Sequence, residues 1–379
     1  MVTIAVTSED SLETRVAASP DTVKKLVGLG CTVRVEKGAG LRSRISDDAY
    51  KAAGATISAS AAEAAAGADM LLHVRRPPLE QIKALKPGGM VIAALDPYSD
   101  RAGLDAIAAS GASAFAMEFM PRITRAQSMD VLSSQANLAG YKAVLDAAAR
   151  LDQAVPMMMT PAGTVPASKI FIMGVGVAGL QAIATARRLG GIVTATDVRP
   201  ATKEQVASLG AKFIAVEDDE FKQAQTAAGY AKPMSAEYQA KQAELVANHI
   251  KIQDIVITTA LIPGRPAPRL ITKAMVESMK PGAVIVDLAA ERGGNCELTQ
   301  AGKVVDHNGV RISGLLNLAG TVPVNASALY AKNLVAFIEP MFDKKDKSLK
   351  INWDEETVKG TLIAKDGKIV HPSLQQQGT

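Results

Sequence analysis

Cysteine is almost absent. Cys31 and Cys296 are the only two in 379 residues, and neither has a Cys-x-x-Cys partner. This argues against a disulfide framework or a zinc site and fits a reducing compartment. Excess charge is missing too. The net charge is +4, with 42 basic residues scattered among 38 acidic ones, so no nucleic-acid footprint emerges. No apolar run approaches the roughly 18 residues that suggest a membrane span. The chain reads as soluble, with docking on a membrane protein left open. Residues 1–6 read as a first strand rather than a charged-then-apolar leader. Histidine is scarce: His73, His249, His307 and His371. No His-x-x-x-His pair, Ser-His-Asp set or nucleophile elbow occurs, and no metal is expected. His73 lies on an apolar strand and reads as core or cleft lining rather than a base.

What is present is an ordinary globular composition, 48% hydrophobic and 21% charged. The length suffices for two domains with separate cores. In the first third, apolar strands at 2–6, 32–36, 70–73, 90–94 and 112–117 alternate with helices. Ser19 and Pro20 form a good helix start, as N-cap and first helical residue. A second series has strands at 169–173, 192–196, 212–215, 254–258, 283–287 and 310–312. This alternation predicts an α/β protein with mostly parallel sheets covered on both faces. The expected architecture is two doubly wound Rossmann-like domains with an interdomain cleft. The first domain is discontinuous, 1–131 and 323–379; the second is 132–322. A helix from Leu132 to Arg150 joins them, and a last helix near 325–340 returns to the first. The charged tail from Asp343 is expected to add a small β excursion or a peripheral cover.

The most informative segment begins at Lys169. It reads Lys-Ile-Phe-Ile-Met-Gly174-Val-Gly176-Val-Ala-Gly179-Leu, then a second strand ending at Asp197. A pyrophosphate needs a tight turn at Gly174 and close backbone approach at Gly176. Gly179 lets the helix pack on the sheet. The helix N-terminus then offers unpaired N–H groups to phosphate. Asp197 lies 21 residues past Gly176, where a carboxylate can accept from both adenosine-ribose hydroxyls. It would repel a 2′-phosphate, which favours NAD(H) over NADP(H). The alternative for Asp197 is a helix N-cap or a solvated loop acid. Arg199 is the counterweight for a 2′-phosphate and is read as a surface or phosphate-side charge.

Other stretches carry candidate chemistry. Residues 121–137, which hold Arg125, Gln127, Asp130 and Ser133, are dense in hydrogen-bonding groups and fall near the expected interdomain cleft. The plainer alternative is a turn with Asp130 or Ser133 as N-cap. The polar segment 217–235 carries Gly229 and Tyr230, read as a mobile flap or a solvated loop. Leu261 to Pro268, stiffened by prolines, suits the wall of a nicotinamide pocket. Glu291 to Gly294 either enters a cleft or forms a surface turn. Met157 to Met159 reads as core packing.

These residues resemble a family. The run Arg125-Ala-Gln127-Ser-Met-Asp130-Val-Leu-Ser-Ser-Gln-Ala-Asn137 is similar to the Arg-Gln-Asp loop of the NAD(H)-binding alpha component of proton-translocating nicotinamide nucleotide transhydrogenase. Stretches 156–164, 174–186, 201–206, 229–232 and 258–264 resemble it too. The wider family includes alanine dehydrogenase, which shares Arg15-Val-Ala-Ala-Ser-Pro20. That enzyme has a Lys and a His where this chain has Arg75 and Asp96, so a general base for amino-acid oxidation is missing. The segment 314–321 matches less well.

The resemblance implies Si/Re-specific hydride transfer between NAD(H) held here and NADP(H) on a partner subunit. It assigns Arg125, Gln127 and Asp130 to catalysis. The candidate cofactor-binding set is Ser133, Gly174, Val175, Gly176, Val177, Ala178, Gly179, Asp197, Val198, Arg199, Gly229, Tyr230, Thr259, Ala260 and Leu261. Expected partners are a second copy, a membrane-spanning subunit and an NADP(H)-binding subunit. The expected location is peripheral, on the cytoplasmic face of the inner membrane. A stand-alone amino-acid dehydrogenase and a non-catalytic NAD(H)-binding subunit are the alternatives.

Overall fold

In the computed structural model, which describes residues 1–224, 234–262, 264–343 and 345–375, the chain divides into two units. One comprises Met1–Gln135 and Gly320–Thr379, the other Ala136–Ala319. Each has its own α/β architecture, and the sheets are mostly parallel, as the alternation predicts.

The first unit is built on β1 (Thr3–Val6), β2 (Thr32–Glu36), β3 (Thr56–Ser58), β4 (Met70–Leu72), β5 (Met90–Ala93) and β6 (Ser113–Ala116). Their order is β3-β2-β1-β4-β5-β6, all parallel, a doubly wound arrangement with its switch point between β1 and β4. Strands buried on both faces read as continuous apolar runs: β5 and β6 are buried at every position. The helix Pro20–Gly28 begins with the expected Ser19 cap, completed by Thr22 as a capping box. The tail extends the sheet, with Leu362–Lys365 antiparallel to β6 and Lys368–Ile369 beyond it. β3 went unpredicted because Thr-Ile-Ser is three residues at an edge, too short for a period.

The second unit opens with helix α1 (Val131–Arg150), whose first turn belongs to the first unit. Its main strands are β7 (Lys169–Met173), β8 (Ile192–Thr196), β9 (Lys212–Phe213), β10 (Ile255–Thr258), β11 (Val284–Asp287), β12 (Val304–His307) and β13 (Val310–Ser313). The order is β9-β8-β7-β10-β11-β13-β12. Only β12 runs antiparallel to its neighbour. Asn308 and Gly309, both at positive φ (53° and 80°), make the β12–β13 turn, the favoured hairpin pairing. Helix α2 (Val177–Arg188) follows β7 and α3 (Ala236–Ile250) precedes β10. A separate hairpin, Met158–Thr160 with Gly163–Val165, pairs with neither main sheet. It leaves Met157, Met158 and Met159 at 61%, 43% and 81% exposure. That corrects the expectation of core packing there.

Helix α4 (Pro323–Ile338) returns to the first unit. Tyr330 is buried; its hydroxyl accepts from Ala94 N–H and shares its one hydrogen between the His73 and Val74 carbonyls. That ties α4 to the carboxyl ends of β4 and β5. Nearby, Arg15 makes a bidentate pair with Glu13 at 2.7 Å on both oxygens, and Arg75 Nε adds a third contact at 3.1 Å. Burial alone raises the Glu13 carboxyl, but the Arg15 guanidinium outweighs it and holds the group at about 2, below its usual 4.5. A depressed carboxyl stabilises the fold above its unfolded pKa and loses that stability as pH falls through the folded value. Urea unfolding should therefore show stability falling between pH 4.5 and about 2. Glu13→Gln should cost on the order of 3 kcal/mol at pH 7, by stranding the buried Arg15 guanidinium, and should flatten the acid limb. An unchanged acid limb in the variant would show that Glu13 is not its source.

Candidate functional site

β7 ends at the switch point of the second sheet, between β8 and β10. There the chain turns through Gly174, at φ 102°. A Cβ on Gly174 would lie 2.5 Å from Thr259 Oγ1, and that hydroxyl donates to the Gly174 carbonyl at 3.0 Å. Position 179 is tighter still: a Cβ would meet the Gly174 carbonyl oxygen at 1.9 Å. Gly176 is different. It is exposed, has an ordinary φ of −80°, and a Cβ there would meet nothing within 4 Å. Two glycines thus satisfy the protein's own backbone, and the third keeps open space at the start of α2. No side chain caps that helix, so its N-terminal amides suit a phosphate. The residues present fit a dinucleotide's pyrophosphate.

Asp197 follows β8 beside this turn. It accepts from Val175 N–H at 2.7 Å and from Arg199 N–H at 2.9 Å. Arg199 Nε and Nη2 add contacts at 2.8 and 2.9 Å. Neither alternative for this acid holds: it caps no helix here, and its side chain is only 7% exposed. Arg199 differs from its reading as a surface charge, since its guanidinium closes onto Asp197. Val198 is exposed, as are Val177 and Leu261, while Val175 is buried and Ala178, Thr259 and Ala260 are half-buried.

Two residues of this unit escaped sequence reasoning. Asn295 is fully buried; its amide accepts from Ala260 N–H and donates to the Ala260 and Pro268 carbonyls, fixing the turn after β10. Gly140 lies inside α1, and a Cβ there would come 2.0 Å from the Ala178 carbonyl oxygen. A glycine inside a helix costs about 1 kcal/mol, and that anomaly was the available signal.

In the first unit, residues Thr124–Met129 form a short 3-10 helix. A shallow hollow there is lined by Pro121, Arg122, Ile123, Thr124, Ala126, Gln127 and Asp130. Gln127 and Asp130 thus lie together. Arg125 does not join them: its guanidinium pairs with Glu355 and Glu356 at 2.9 and 3.1 Å. Arg122, to which the sequence gave no role, supplies the cation of the hollow. Asp130 caps α1, accepting from Ser133 N–H at 2.9 Å and Ser133 Oγ at 2.5 Å, so the plainer reading of this pair holds as well. Asn333 of α4 anchors the loop through the Ser128 carbonyl and Ser134 Oγ, each at 2.7 Å. Gly229 and Tyr230 lie outside the described residues. Among those described, no cluster suited to a metal occurs and no helix is long and apolar enough to cross a membrane.

The sheets and the glycine turn define a class, an α/β dinucleotide-binding protein with Rossmann-like units. The chain belongs to the alanine dehydrogenase/PNT family, on its transhydrogenase alpha-subunit branch. The family's N-terminal domain matches residues 5–139 and its C-terminal domain residues 143–372. The chain is 54% identical over 371 residues to an NAD(P) transhydrogenase subunit alpha polypeptide of Rhodospirillum rubrum, covering 97% of each. A transhydrogenase structure from Sinorhizobium meliloti superposes with a TM-score of 0.89 at 59% identity, over 97% of this chain and all of that one. Alanine dehydrogenase of Mycobacterium tuberculosis is more distant, 30% identical over 74% of this chain and 70% of that protein.

The glycines make separable predictions. Gly176→Ala should leave unfolding stability within about 1 kcal/mol, because its φ and surroundings admit a methyl, while weakening NADH binding about tenfold or more. Gly179→Ala should destabilise the fold by about 1–3 kcal/mol or more through overpacking. Isothermal titration with thermal melts separates the two; equal loss of stability in both would contradict the assignment.

Proposed function

We propose that this chain holds NAD(H) and exchanges hydride directly with NADP(H) bound to a partner subunit, as the soluble alpha component of a proton-translocating transhydrogenase. The observation that carries this reading is the built turn: open space at Gly176, an uncapped helix start and a poised Asp197. Residues 132–322 act as the NAD(H)-binding domain, and 1–131 with 323–379 as its companion. The glycine turn and α2 hold the pyrophosphate, Asp197 the adenosine ribose, and Thr259 to Leu261 the wall nearer the ring. Gln127, Asp130 and Ser133 orient the nicotinamide and its ribose, with Arg122 rather than Arg125 as the neighbouring cation. Tyr230 closes over the nucleotide.

Hydride moves between two nicotinamide C4 atoms, which asks for ring spacing of about 3–3.5 Å and no proton transfer at the carbon. The protein's task is then positioning. This fits a loop of amide, hydroxyl and carboxylate groups held by Asn333, without a histidine. The amino-acid dehydrogenase reading is weaker. Arg75 engages Glu13, and Asp96 stands where that chemistry needs an imidazole. A non-catalytic NAD(H)-binding subunit leaves the hollow at Gln127 without a task. Partners are a membrane-spanning subunit and an NADP(H)-binding subunit, with the complex on the cytoplasmic face of the inner membrane. The chain pairs with a second copy. Support comes from the Met158–Val165 hairpin, since an isolated two-stranded hairpin is marginal in water and its exposed methionines suit a covering surface.

The test is direct transfer. Gln127→Asn should keep most of the NADH affinity, because phosphates and adenosine ribose are held elsewhere. Its shorter side chain should misplace the ring by about an ångström and slow transfer on the order of 10²-fold. Stopped-flow transfer to an NADP(H)-binding partner measures the step. A wild-type rate, or slowing matched by equal loss of affinity, defeats the positioning role. The purified chain alone should bind NADH yet turn over neither alanine nor pyruvate; robust alanine oxidation would overturn the reading.

A further inference from the structure

Two carboxylates follow strands of the second sheet, and both are saturated. Asp287, at the end of β11, is fully buried. It accepts from Ala289 N–H, Cys296 N–H, Thr258 Oγ1 and Thr299 Oγ1 at 2.7–3.0 Å. Backbone amides and short hydroxyls cannot withdraw, so Asp287 is a permanent strut. Asp197 also accepts four N–H bonds, which fills the roughly four lone-pair directions of a carboxylate. Two of its donors are backbone. The other two lie on one long side chain, Arg199, which is 29% exposed.

A vicinal diol cannot be added to a full carboxylate, so something must leave. Val175 N–H belongs to the glycine turn. Arg199 N–H is fixed by its own turn, where Thr202 N–H and Oγ1 donate to the Arg199 carbonyl. Only the guanidinium can go. Its Nε serves Oδ1 and its Nη2 serves Oδ2, one donor per oxygen, as two ribose hydroxyls would. We propose that Arg199 is an internal surrogate for the adenosine-ribose diol, displaced when NAD(H) binds. While paired with Asp197 it is also withheld from a 2′-phosphate, for which a guanidinium would be the natural partner. The Asp197–Arg199 pair therefore sets nucleotide discrimination as a unit. The inference rests on the reading of Asp197 as the ribose acceptor.

The experiment titrates the full chain with NADH and with NADPH by calorimetry, for wild type, Arg199→Gln, Arg199→Lys, Asp197→Asn and Asp197→Asn/Arg199→Gln. Losing a cation near an anionic ligand weakens attraction at long range. The decisive comparison is therefore made near 1 M salt, where the Debye length is about 3 Å. There Arg199→Gln should bind NADH about threefold to tenfold tighter, because no ion pair has to open. Arg199→Lys should fall between, since an ammonium does not fork across both oxygens. NADPH should stay weak in both. Asp197→Asn should lose NADH affinity and gain NADPH affinity, and the double variant should lose that gain. Arg199→Gln that binds both nucleotides more weakly and melts earlier assigns Arg199 a structural role and overturns the proposal. So does unchanged NADH affinity in that variant. Asp197→Asn with wild-type NADH affinity brings down the ribose reading itself, and the surrogate role with it.

Discussion

A carbonyl oxygen and a missing Cβ set the geometry of the nucleotide-binding unit. The Gly174 carbonyl stands where a side chain at 179 would begin, 1.9 Å away. With glycine at 179, α2 can start directly against the turn that follows β7. Gly140 repeats the device from the other side, letting α1 reach the Ala178 carbonyl. Backbone packs on backbone at both places, within the first turn of α2. The consequence is orientation: the free amides of α2 are aimed, without help from any side chain, at the space beside Gly176. No rotamer has to be chosen for the phosphate end of the site to be in place, so little ordering entropy remains to be lost there on binding.

Within each unit several loops are fixed by neutral buried amides and hydroxyls. Asn295 closes both polar groups of Ala260, and Asn333 grips the loop bearing Gln127. Tyr330 reaches three backbone groups at once, one N–H and two carbonyls that share its hydroxyl hydrogen. A buried amide fully bonded to backbone specifies a single loop conformation without the desolvation cost of an ion. The buried ion pair of Glu13 and Arg15 is bidentate and further bonded, Arg15 also reaching Gln135 at 2.8 Å. Rigid neighbours are what a positioning mechanism requires, because an ångström of play at the ring is costly in rate.

The frame was legible in the sequence because its signals are local. Strands β7 and β8 fall at the expected residues, and the Gly174, Gly176 and Gly179 spacing carries its own physical meaning. The misses share a cause. Asn295 acts on Ala260 from 35 residues away, and Asn333 acts on Ser128 from 205 away; no periodicity encodes such pairs. Arg125 lies three residues after Arg122, within the short 3-10 helix, and its guanidinium pairs with Glu355 and Glu356 far along the chain. The methionine run misleads because apolar residues suggest core, whereas these three sit at a hairpin that pairs with neither main sheet. The β12–β13 hairpin carries a readable Asn-Gly signal, which strand periodicity alone does not weigh.

An acid kept for a ligand that comes and goes poses a problem that a structural acid does not. As the proposed ribose acceptor, Asp197 has to be nearly buried to hold the diol against water, yet a nearly buried carboxylate without partners is costly. Permanent donors, such as those around Asp287, would remove the cost and the function together. Leaving the group open to solvent would keep the function but lose the preorganised rotamer. A long cationic side chain two residues along resolves the conflict on the proposed reading: Arg199 donates to both Asp197 oxygens and keeps them oriented, and its guanidinium, 29% exposed, is the donor free of backbone constraint. Its partner atoms are those proposed for the ribose, one donor to each oxygen, so the proposal leaves the acid satisfied in either state. The same arrangement explains why the neighbouring cation need not favour NADPH. A guanidinium bound to a carboxylate is not an anion site, so the proposal assigns specificity to the pair rather than to either charge.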